Sequence, residues 1–84
     1  MYEVFLERRA ERDLRALPVR EFERITARIG GLGVNPRPPG SRKLVGSRND
    51  WRIRTGDYRI IYEVDDQARA VRVMRIKHRR EAYR

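Results

Sequence analysis

WRIRTGDYRIIYEVDD, residues 51–66, alternates apolar and basic side chains on both sides of a short turn. A period of two predicts two β-strands that fold back on each other. Gly56 and Asp57 lie between the two runs, and glycine at the first position of a two-residue loop favours a type II′ turn, which needs positive φ there. A loop of this length sets the register of the hairpin and pairs Arg54 with Arg59.

The predicted register sorts the hairpin side chains into two faces, because successive residues of a strand point in opposite directions. Arg52, Arg54 and Arg59 share one face with Ile61. Like charges that oppose each other destabilise a strand pair, and the planar fork of arginine fits phosphate oxygens. Nucleic acid is therefore the first hypothesis, and a solvated face of a basic protein is the alternative. The predicted core face carries Trp51, Ile53, Thr55, Tyr58, Ile60 and Tyr62.

The charge of the chain is unevenly distributed. The net charge is +9, yet residues 1–34 hold seven arginines against six carboxylates, whereas residues 35–84 hold fourteen basic and six acidic side chains. A positive field confined to one part of a small domain is typical of a polyanion-binding surface. The distribution favours the nucleic-acid hypothesis over the solvated face.

The sequence lacks the residues that disulfides and common metal sites require. The chain has no cysteine and one histidine, which excludes disulfides and a zinc site with nitrogen and sulfur ligands. We therefore expect no metal and no cofactor. Its length predicts a single domain, residues 1–84, with a modest core. Since no apolar run approaches ~18 residues and no signal-peptide layout opens the chain, we expect a cytoplasmic protein without membrane contact.

The remaining pattern predicts two helices and further strands. Residues 2–6 form a β run, and the apolar spacing within 7–17 and 19–32 predicts an α-helical hairpin divided at Pro18. Glycines 30, 31 and 33 are expected to supply helix-ending conformations. Three prolines interrupt regular structure over residues 35–41 and predict a loop there. Residues 42–45 are predicted to form a short strand. The apolar stripe of the second helix consists of Phe22, Ile25, Ile29 and Leu32.

The last strand is predicted over residues 70–77. Val71 and Val73 would lie on one of its faces, and Met74 and Ile76 on the other, which indicates an interior strand. The fold class is α+β: an N-terminal strand, an α-helical hairpin, a mostly antiparallel sheet of four to five strands and a short C-terminal segment. The first strand lies at the edge beside the second, or it pairs in parallel with the last.

The C-terminal run HRREAYR, residues 78–84, adds an imidazole, three arginines and a phenol to the end of this strand. Histidine exchanges protons near neutral pH, and tyrosine stacks on bases. If the last strand neighbours the hairpin, these groups share one concave surface with its arginines. The alternative for His78 is a surface residue without a catalytic role.

The runs KLVGSRNDWRIRTGDYRIIYEVDD and VRVMRIKHRREAYR resemble the RelE/ParE superfamily of toxin–antitoxin toxins, on the RelE side. The resemblance implies a microbial-RNase-like fold and an endoribonuclease that cleaves mRNA in the ribosomal A site without a metal. It also implies contact with ribosomal RNA and a cognate, acidic, RelB-like antitoxin in a heterodimer or heterotetramer. Operator DNA would be bound only through that complex.

The resemblance also implies roles for single residues. Lysines of the founding member stand where this chain has Arg52 and Arg54, and arginine effectively never loses its proton. A mechanism with lysine as the general base therefore cannot be carried over from the founding member to this chain. His78 becomes the expected proton-transfer group. The expected catalytic residues are Arg59, His78, Arg79 and Tyr83. The expected RNA-binding residues are Arg52, Arg54, Lys43 and Arg80.

Two other functions fit the same sequence. A ParE-like inhibitor of DNA gyrase would share the fold without needing the groups of the tail. A non-catalytic basic module would bind nucleic acid with an affinity that falls steeply with salt.

Overall fold

The computed structural model describes residues 1–82, in which an N-terminal strand and two helices precede a sheet. This α+β order confirms the predicted fold class. The short helix at the end of the described chain was not predicted. The strands are β1 Glu3–Leu6, β2 Arg42–Lys43, β3 Asp50–Thr55, β4 Tyr58–Asp65 and β5 Ala70–His78. The helices are α1 Arg8–Arg15, α2 Val19–Gly31 and α3 Arg79–Ala82.

The β3–β4 hairpin has the predicted register, from Trp51 opposite Tyr62 to Thr55 opposite Tyr58. Gly56 has a φ of 61° and is the turn residue with positive φ. A type II′ turn requires this at its first central position alone. The turn and the division of the hairpin into two faces are thus confirmed.

The strand order β1-β5-β4-β3-β2 settles the place of the first strand. β1 pairs with β5 in parallel, and the other pairs are antiparallel. The prediction that Gly30, Gly31 and Gly33 supply helix-ending conformations is wrong, since none has positive φ and the first two lie within α2. Gly33 instead lets β1 approach closely: Tyr2 donates its N–H to the Gly33 carbonyl over 2.8 Å, and a Cβ on Gly33 would lie 2.9 Å from the Tyr2 oxygen.

A bulge in β5 changes which residues face the helices. Tyr62 pairs with Val73, but the preceding Ile61 pairs with Arg75. The extra residue, Met74, shifts the alternation by one. Val73 and Ile76 are therefore both buried in the core, and the predicted placement of these two residues on opposite faces is wrong. The interior position of β5 is confirmed.

The core lies between the two long helices and one face of the sheet. Phe22 is 39% exposed, so the predicted stripe of α2 is buried only from Ile25 onward. Tyr62 is fully buried and donates its hydroxyl to the Pro36 carbonyl over 2.8 Å, which fixes the proline-rich loop against the sheet. No helix within residues 1–82 is long and apolar enough to cross a membrane. The core residues are Ala10, Leu14, Ile25, Ile29, Leu32, Ile53, Ile60, Tyr62, Val64, Val71, Val73 and Ile76.

Candidate functional site

A pocket of about 200 Å³ opens at the β3–β4 turn, and we call it the turn pocket. Strand register brings its cations together, because Arg54 lies opposite Arg59 and Arg59 lies opposite Lys77. Three basic residues thus form one row across three strands, on the sheet face away from the helices. The turn pocket is lined by Arg54, Gly56, Asp57, Tyr58, Arg59 and Arg79.

Arg59 is buried in the middle of this row. It is 7% exposed and is the one charged residue buried within residues 1–82. Removing a guanidinium from water is costly, and here its register neighbours on both sides, Arg54 and Lys77, are also cations. This row of the sheet is therefore basic, and an anion bound at the turn pocket would lower the mutual repulsion of these groups.

Arg79 is held at the turn pocket by the backbone. Its N–H donates to the Asp57 carbonyl over 2.7 Å, which continues the β4–β5 ladder beyond the pair of Tyr58 and His78. The Arg79 guanidinium lies 3.9 Å from the Asp57 carboxylate, with both side chains about two-thirds exposed (66% and 65%). An ion pair so exposed is weak, and a phosphate can compete for this arginine.

His78 lies in a wider, adjoining concavity. Its ring packs edge-on against Tyr58, with centroids 5.1 Å apart and an interplanar angle of 87°. Its Nδ1 accepts a hydrogen bond from the Arg80 backbone N–H over 3.2 Å. A neutral imidazole with Nδ1 so occupied carries its proton on Nε2. This concavity is lined by Asp57, His78, Arg79, Arg80 and Glu81.

The structure divides the expected catalytic residues between two adjoining depressions. Arg59 and Arg79 line the turn pocket, whereas His78 shares the core side of the sheet with Tyr58 and opens into the neighbouring concavity. Arg79 lines both, so the two depressions meet at the start of α3. Tyr83 lies outside the described residues.

The expected RNA-binding residues lie at four places. Arg54 lines the turn pocket and Arg80 the concavity of His78. Arg52 lines a third, basic depression together with Arg28 and Arg42. Lys43 is exposed and pairs with Trp51, which puts it on the sheet face opposite to that of Arg52.

Some residues of these depressions have no local signal in the sequence that marks them as part of a site. Asp57 has the pattern of a turn residue alone, yet it lines both the turn pocket and the concavity of His78. Arg42 is the register partner of Arg52, and a predicted β2–β3 register would have found it. Arg28 comes from α2, and no local pattern links it to β3.

A second cluster fixes the opposite end of the hairpin. Asp66 accepts two hydrogen bonds from Arg37, at 2.8 and 3.2 Å, and one from the Tyr2 hydroxyl at 2.6 Å. The Arg37 guanidinium lies over the Trp51 ring at 5.1 Å. Hydrogen bonding to Arg37 and then to Tyr2 lowers the pKa of the Asp66 carboxyl, and the bond to Asp66 raises the pKa of the Tyr2 phenol. This cluster ties the N-terminus and the proline-rich loop to the β4–β5 turn.

The chemistry that the turn pocket offers is anion binding. Arg54, Arg59 and Arg79 supply planar sets of donors that match phosphate oxygens, whereas His78 opens into the adjoining concavity from the core side of the sheet. Among residues 1–82, no group of three or more His, Asp or Glu side chains is placed to hold a metal ion. The arrangement suits binding of a phosphodiester and stabilisation of charge on its oxygens.

Comparison with known proteins identifies the family of the chain. Residues 4–83 match the family described as the ParE toxin of the type II toxin–antitoxin system, parDE. The toxin RelG of Mycobacterium tuberculosis is 34% identical over 79 residues, which cover 89% of this chain and 87% of RelG.

Solved structures share the fold over nearly the whole chain. A chain of the archaeal RelE–RelB complex from Pyrococcus horikoshii matches with a TM-score of 0.83 and 28% identity, covering 93% of this chain and 94% of that one. A chain of the toxin–antitoxin complex RelBE2 from Mycobacterium tuberculosis matches with a TM-score of 0.81 and 29% identity, covering 92% and 96%. The chain therefore belongs to the RelE/ParE superfamily and is a RelE-like toxin of a type II toxin–antitoxin system.

Proposed function

We propose that this toxin is an endoribonuclease that cleaves mRNA in the ribosomal A site and thereby stops translation. The observation that carries the proposal is the turn pocket, where Arg54, Arg59 and Arg79 line a volume of about 200 Å³. A phosphate group fits such a volume, and the buried position of Arg59 keeps its donors in place. The turn pocket therefore supports a site in which a phosphodiester reacts.

The proposed reaction needs no metal. The 2′-oxygen of one nucleotide attacks the adjacent phosphorus and releases its proton to solvent, while the bond between phosphorus and the 5′-oxygen breaks. The products are a 2′,3′-cyclic phosphate and a 5′-hydroxyl. Arg59 and Arg79 would stabilise the charge that develops on the phosphoryl oxygens, and a donor in suitable geometry contributes about 3–4 kcal/mol.

His78 is assigned to the leaving group. Because its Nδ1 accepts the Arg80 N–H, the neutral ring presents Nε2–H as a donor. An Nε2–H group cannot accept the 2′-hydroxyl proton, and a neutral imidazole does not give this proton up. His78 would therefore donate a hydrogen bond to the departing 5′-oxygen, while solvent supplies the proton that this oxygen gains.

The remaining expected residues would hold the RNA. Arg52 and Arg54 would bind flanking phosphates, Arg80 and Lys43 would add positive charge, and Tyr83 would stack on or orient a base. The depressions are open to solvent on a sheet surface, so they do not by themselves force the attacking and leaving oxygens into line. We assign that alignment to the ribosome, and free RNA is then a poor substrate.

Primer extension on an mRNA translated in a cell-free extract tests the proposal. We expect new 5′ ends within translated codons, absent when translation is blocked before elongation. The Arg59→Ala variant is the matched control and should give no cuts. A wild-type toxin that arrests growth while leaving translated mRNA intact would sink the ribonuclease assignment.

The description of the matching family favours a second candidate, since residues 4–83 match the ParE toxin. A ParE-like toxin would inhibit DNA gyrase. A supercoiling assay run beside the translation assay separates the two, because a gyrase inhibitor blocks supercoiling and leaves translation of a purified mRNA unchanged. A non-catalytic basic module would do neither, and its binding would survive His78 and Tyr83 substitution.

We infer that the partner of this toxin is an acidic, RelB-like antitoxin. In support, the two solved relatives above are toxin–antitoxin complexes, and a net charge of +9 suits an acidic, partly disordered segment that folds on binding. Operator DNA would be bound only through that complex. Co-expression with the small acidic protein of a neighbouring reading frame should restore growth and yield a heterodimer or heterotetramer on gel filtration.

A further inference from the structure

The third depression, of about 480 Å³, opens at the outer edge of β3, and we call it the edge pocket. Within the described residues, β2 pairs with Trp51 and Arg52 only, so the outer edge of β3 beyond Arg52 is not covered by β2. The edge pocket lies along this uncovered part. Four arginines line it: Arg28, Arg42, Arg52 and Arg54.

These four arginines come from three separate elements. Arg52 and Arg54 lie on one face of β3 by strand alternation, Arg42 is the register partner of Arg52 on β2, and Arg28 belongs to α2. No acidic side chain of the described residues lines the edge pocket. Cations gathered at one depression repel one another, and a bound anion would relieve this repulsion.

A basic groove on α1 shows what an ordinary solvated surface looks like in this protein. It is lined by Arg8, Arg12 and Arg15, but also by Glu11, whose carboxylate lies 3.2 Å from Arg15. The positive charge there is partly neutralised within one helix. No acidic side chain of residues 1–82 lines the edge pocket, so its lining is more basic than that of the groove on α1.

The edge pocket and the turn pocket meet at Arg54, which lines both. Arg52 lies two residues before Arg54 and therefore roughly 6.6 Å along the strand. This separation is comparable to that of successive phosphates in an extended nucleic-acid strand. We propose that the edge pocket, with Arg28 and Arg42, is a second subsite for the phosphodiester adjacent to the one cleaved, and that the substrate RNA runs along β3. The inference rests on the proposed ribonuclease function.

Binding of 2′-O-methyl RNA trinucleotides to the purified toxin tests the subsite without cleavage, because the attacking hydroxyl is blocked. Fluorescence anisotropy gives Kd as a function of salt for the wild type and for the double variant Arg28→Ala/Arg42→Ala. Loss of one phosphate contact lowers the slope of log K against log salt by about 0.7 for a single strand. The control Arg20→Ala/Arg48→Ala removes the same charge from exposed positions outside both pockets and should change this slope less.

A second trinucleotide, with a neutral methylphosphonate in place of one of its two phosphodiesters, makes the test specific. Its single charged linkage should occupy the turn pocket, so Arg28→Ala/Arg42→Ala should weaken the doubly charged trinucleotide and leave this one unchanged. Equal weakening of both oligomers, or of neither, overturns the subsite. An effect confined to ribosome association assigns the edge pocket to ribosomal RNA and also overturns it.

Neither variant should unfold the protein, because Arg28 and Arg42 are exposed. Thermal melts followed by circular dichroism check this, and Arg28→Gln/Arg42→Gln repeats the measurement with longer side chains. Cleavage of translated mRNA is measured separately by primer extension. A failed subsite leaves that cleavage intact, whereas a failed ribonuclease assignment abolishes it in the wild type.

Discussion

Arg79 donates its backbone N–H to the carbonyl oxygen of Asp57 over 2.7 Å, which ties the start of α3 to the β3–β4 turn. Twenty-one residues lie between these partners in the sequence. The bond places the Arg79 side chain beside a pocket whose other walls belong to β3 and β4. The proposed catalytic groups therefore depend on the turn for their relative positions.

The Asp57→Asn variant should bind RNA more tightly. The Asp57 carboxylate lines the turn pocket, where it repels a phosphate and competes for Arg79 at 3.9 Å. Since the pair is exposed, we expect a gain of up to about fivefold in the affinity for a 2′-O-methyl oligonucleotide. Glu23→Gln removes the same charge from an exposed position on α2 and serves as the control. Weaker binding by Asp57→Asn would assign the carboxylate a positive role in recognition.

The Arg59→Ala variant should lose mRNA cleavage by about 10²–10³-fold, the usual effect of removing one donor to a developing oxyanion. Primer extension and relief of growth arrest measure the loss. Arg59→Lys keeps the charge but not the planar fork, so we expect partial activity. Circular dichroism must show both variants folded, because Arg59 is buried. Full toxicity in a folded Arg59→Ala protein would remove this residue from the site.

The hairpin could be predicted from the sequence because its determinants are local. Two alternating runs and a two-residue loop fix which residues pair, and the pairing of Arg54 with Arg59 follows. The parallel pairing of β1 with β5 depends on contacts between chain ends, so the sequence left it open. The bulge at Met74 depends on how β5 meets both β4 and α1, and strict alternation assigned Ile76 to the wrong face.

Of the residues of the candidate site, only those placed by strand alternation within the hairpin could be predicted. Arg54 and Arg59 follow from the hairpin register, whereas Arg28 reaches the edge pocket from α2. Nor could alternation place His78, which lies on the core side next to Tyr58 and not with the arginines. Arg79 lines the turn pocket at the point where its backbone N–H bonds to the Asp57 carbonyl, and this bond joins residues distant in the sequence.

The Gly56→Ala variant should be less stable by more than about 1 kcal/mol, because its φ of 61° is unfavourable for a residue with a Cβ. The new Cβ would also overlap the Arg24 guanidinium. That side chain is flexible at its end and can move away, so Arg24→Ala/Gly56→Ala should recover little stability. Urea denaturation measures the free energy of unfolding of both variants. Full recovery in the double variant would show that the overlap dominates over backbone strain.

The contribution of the Asp66 carboxylate to stability should be lost as the pH falls below about 5. Hydrogen bonds from Arg37 and Tyr2 hold the pKa of its carboxyl below the usual 3.8. A group with a depressed pKa in the folded state contributes stability that is complete above its unfolded pKa and is lost as pH falls through its folded pKa. The difference in free energy of unfolding between the wild type and Asp66→Asn should therefore shrink from pH 6 towards pH 2. A difference that stays constant over this range would contradict the assignment.

The Asp13→Ala variant should lower the free energy of unfolding more than other carboxylate deletions on α1. Beyond the end of β1, the edge of β5 is bonded by the Asp13 side chain. The Oδ2 atom of Asp13 accepts hydrogen bonds from the Ile76 N–H at 2.9 Å and from Arg75 Nε–H at 2.8 Å. Removing the carboxylate leaves these partly buried N–H donors without their acceptor, which lowers the free energy of unfolding by about 1–3 kcal/mol.

Two further variants separate the charge of Asp13 from its hydrogen bond to the sheet. Asp13→Asn keeps an oxygen for the Ile76 N–H and loses the ion pair, so it should fall between the wild type and Asp13→Ala. Glu11→Ala removes a carboxylate whose partner Arg15 is exposed, and we expect a change within about 0.5 kcal/mol. Urea denaturation of the three variants gives the order directly, and equal losses for Asp13→Ala and Glu11→Ala would contradict the anchoring role of Asp13.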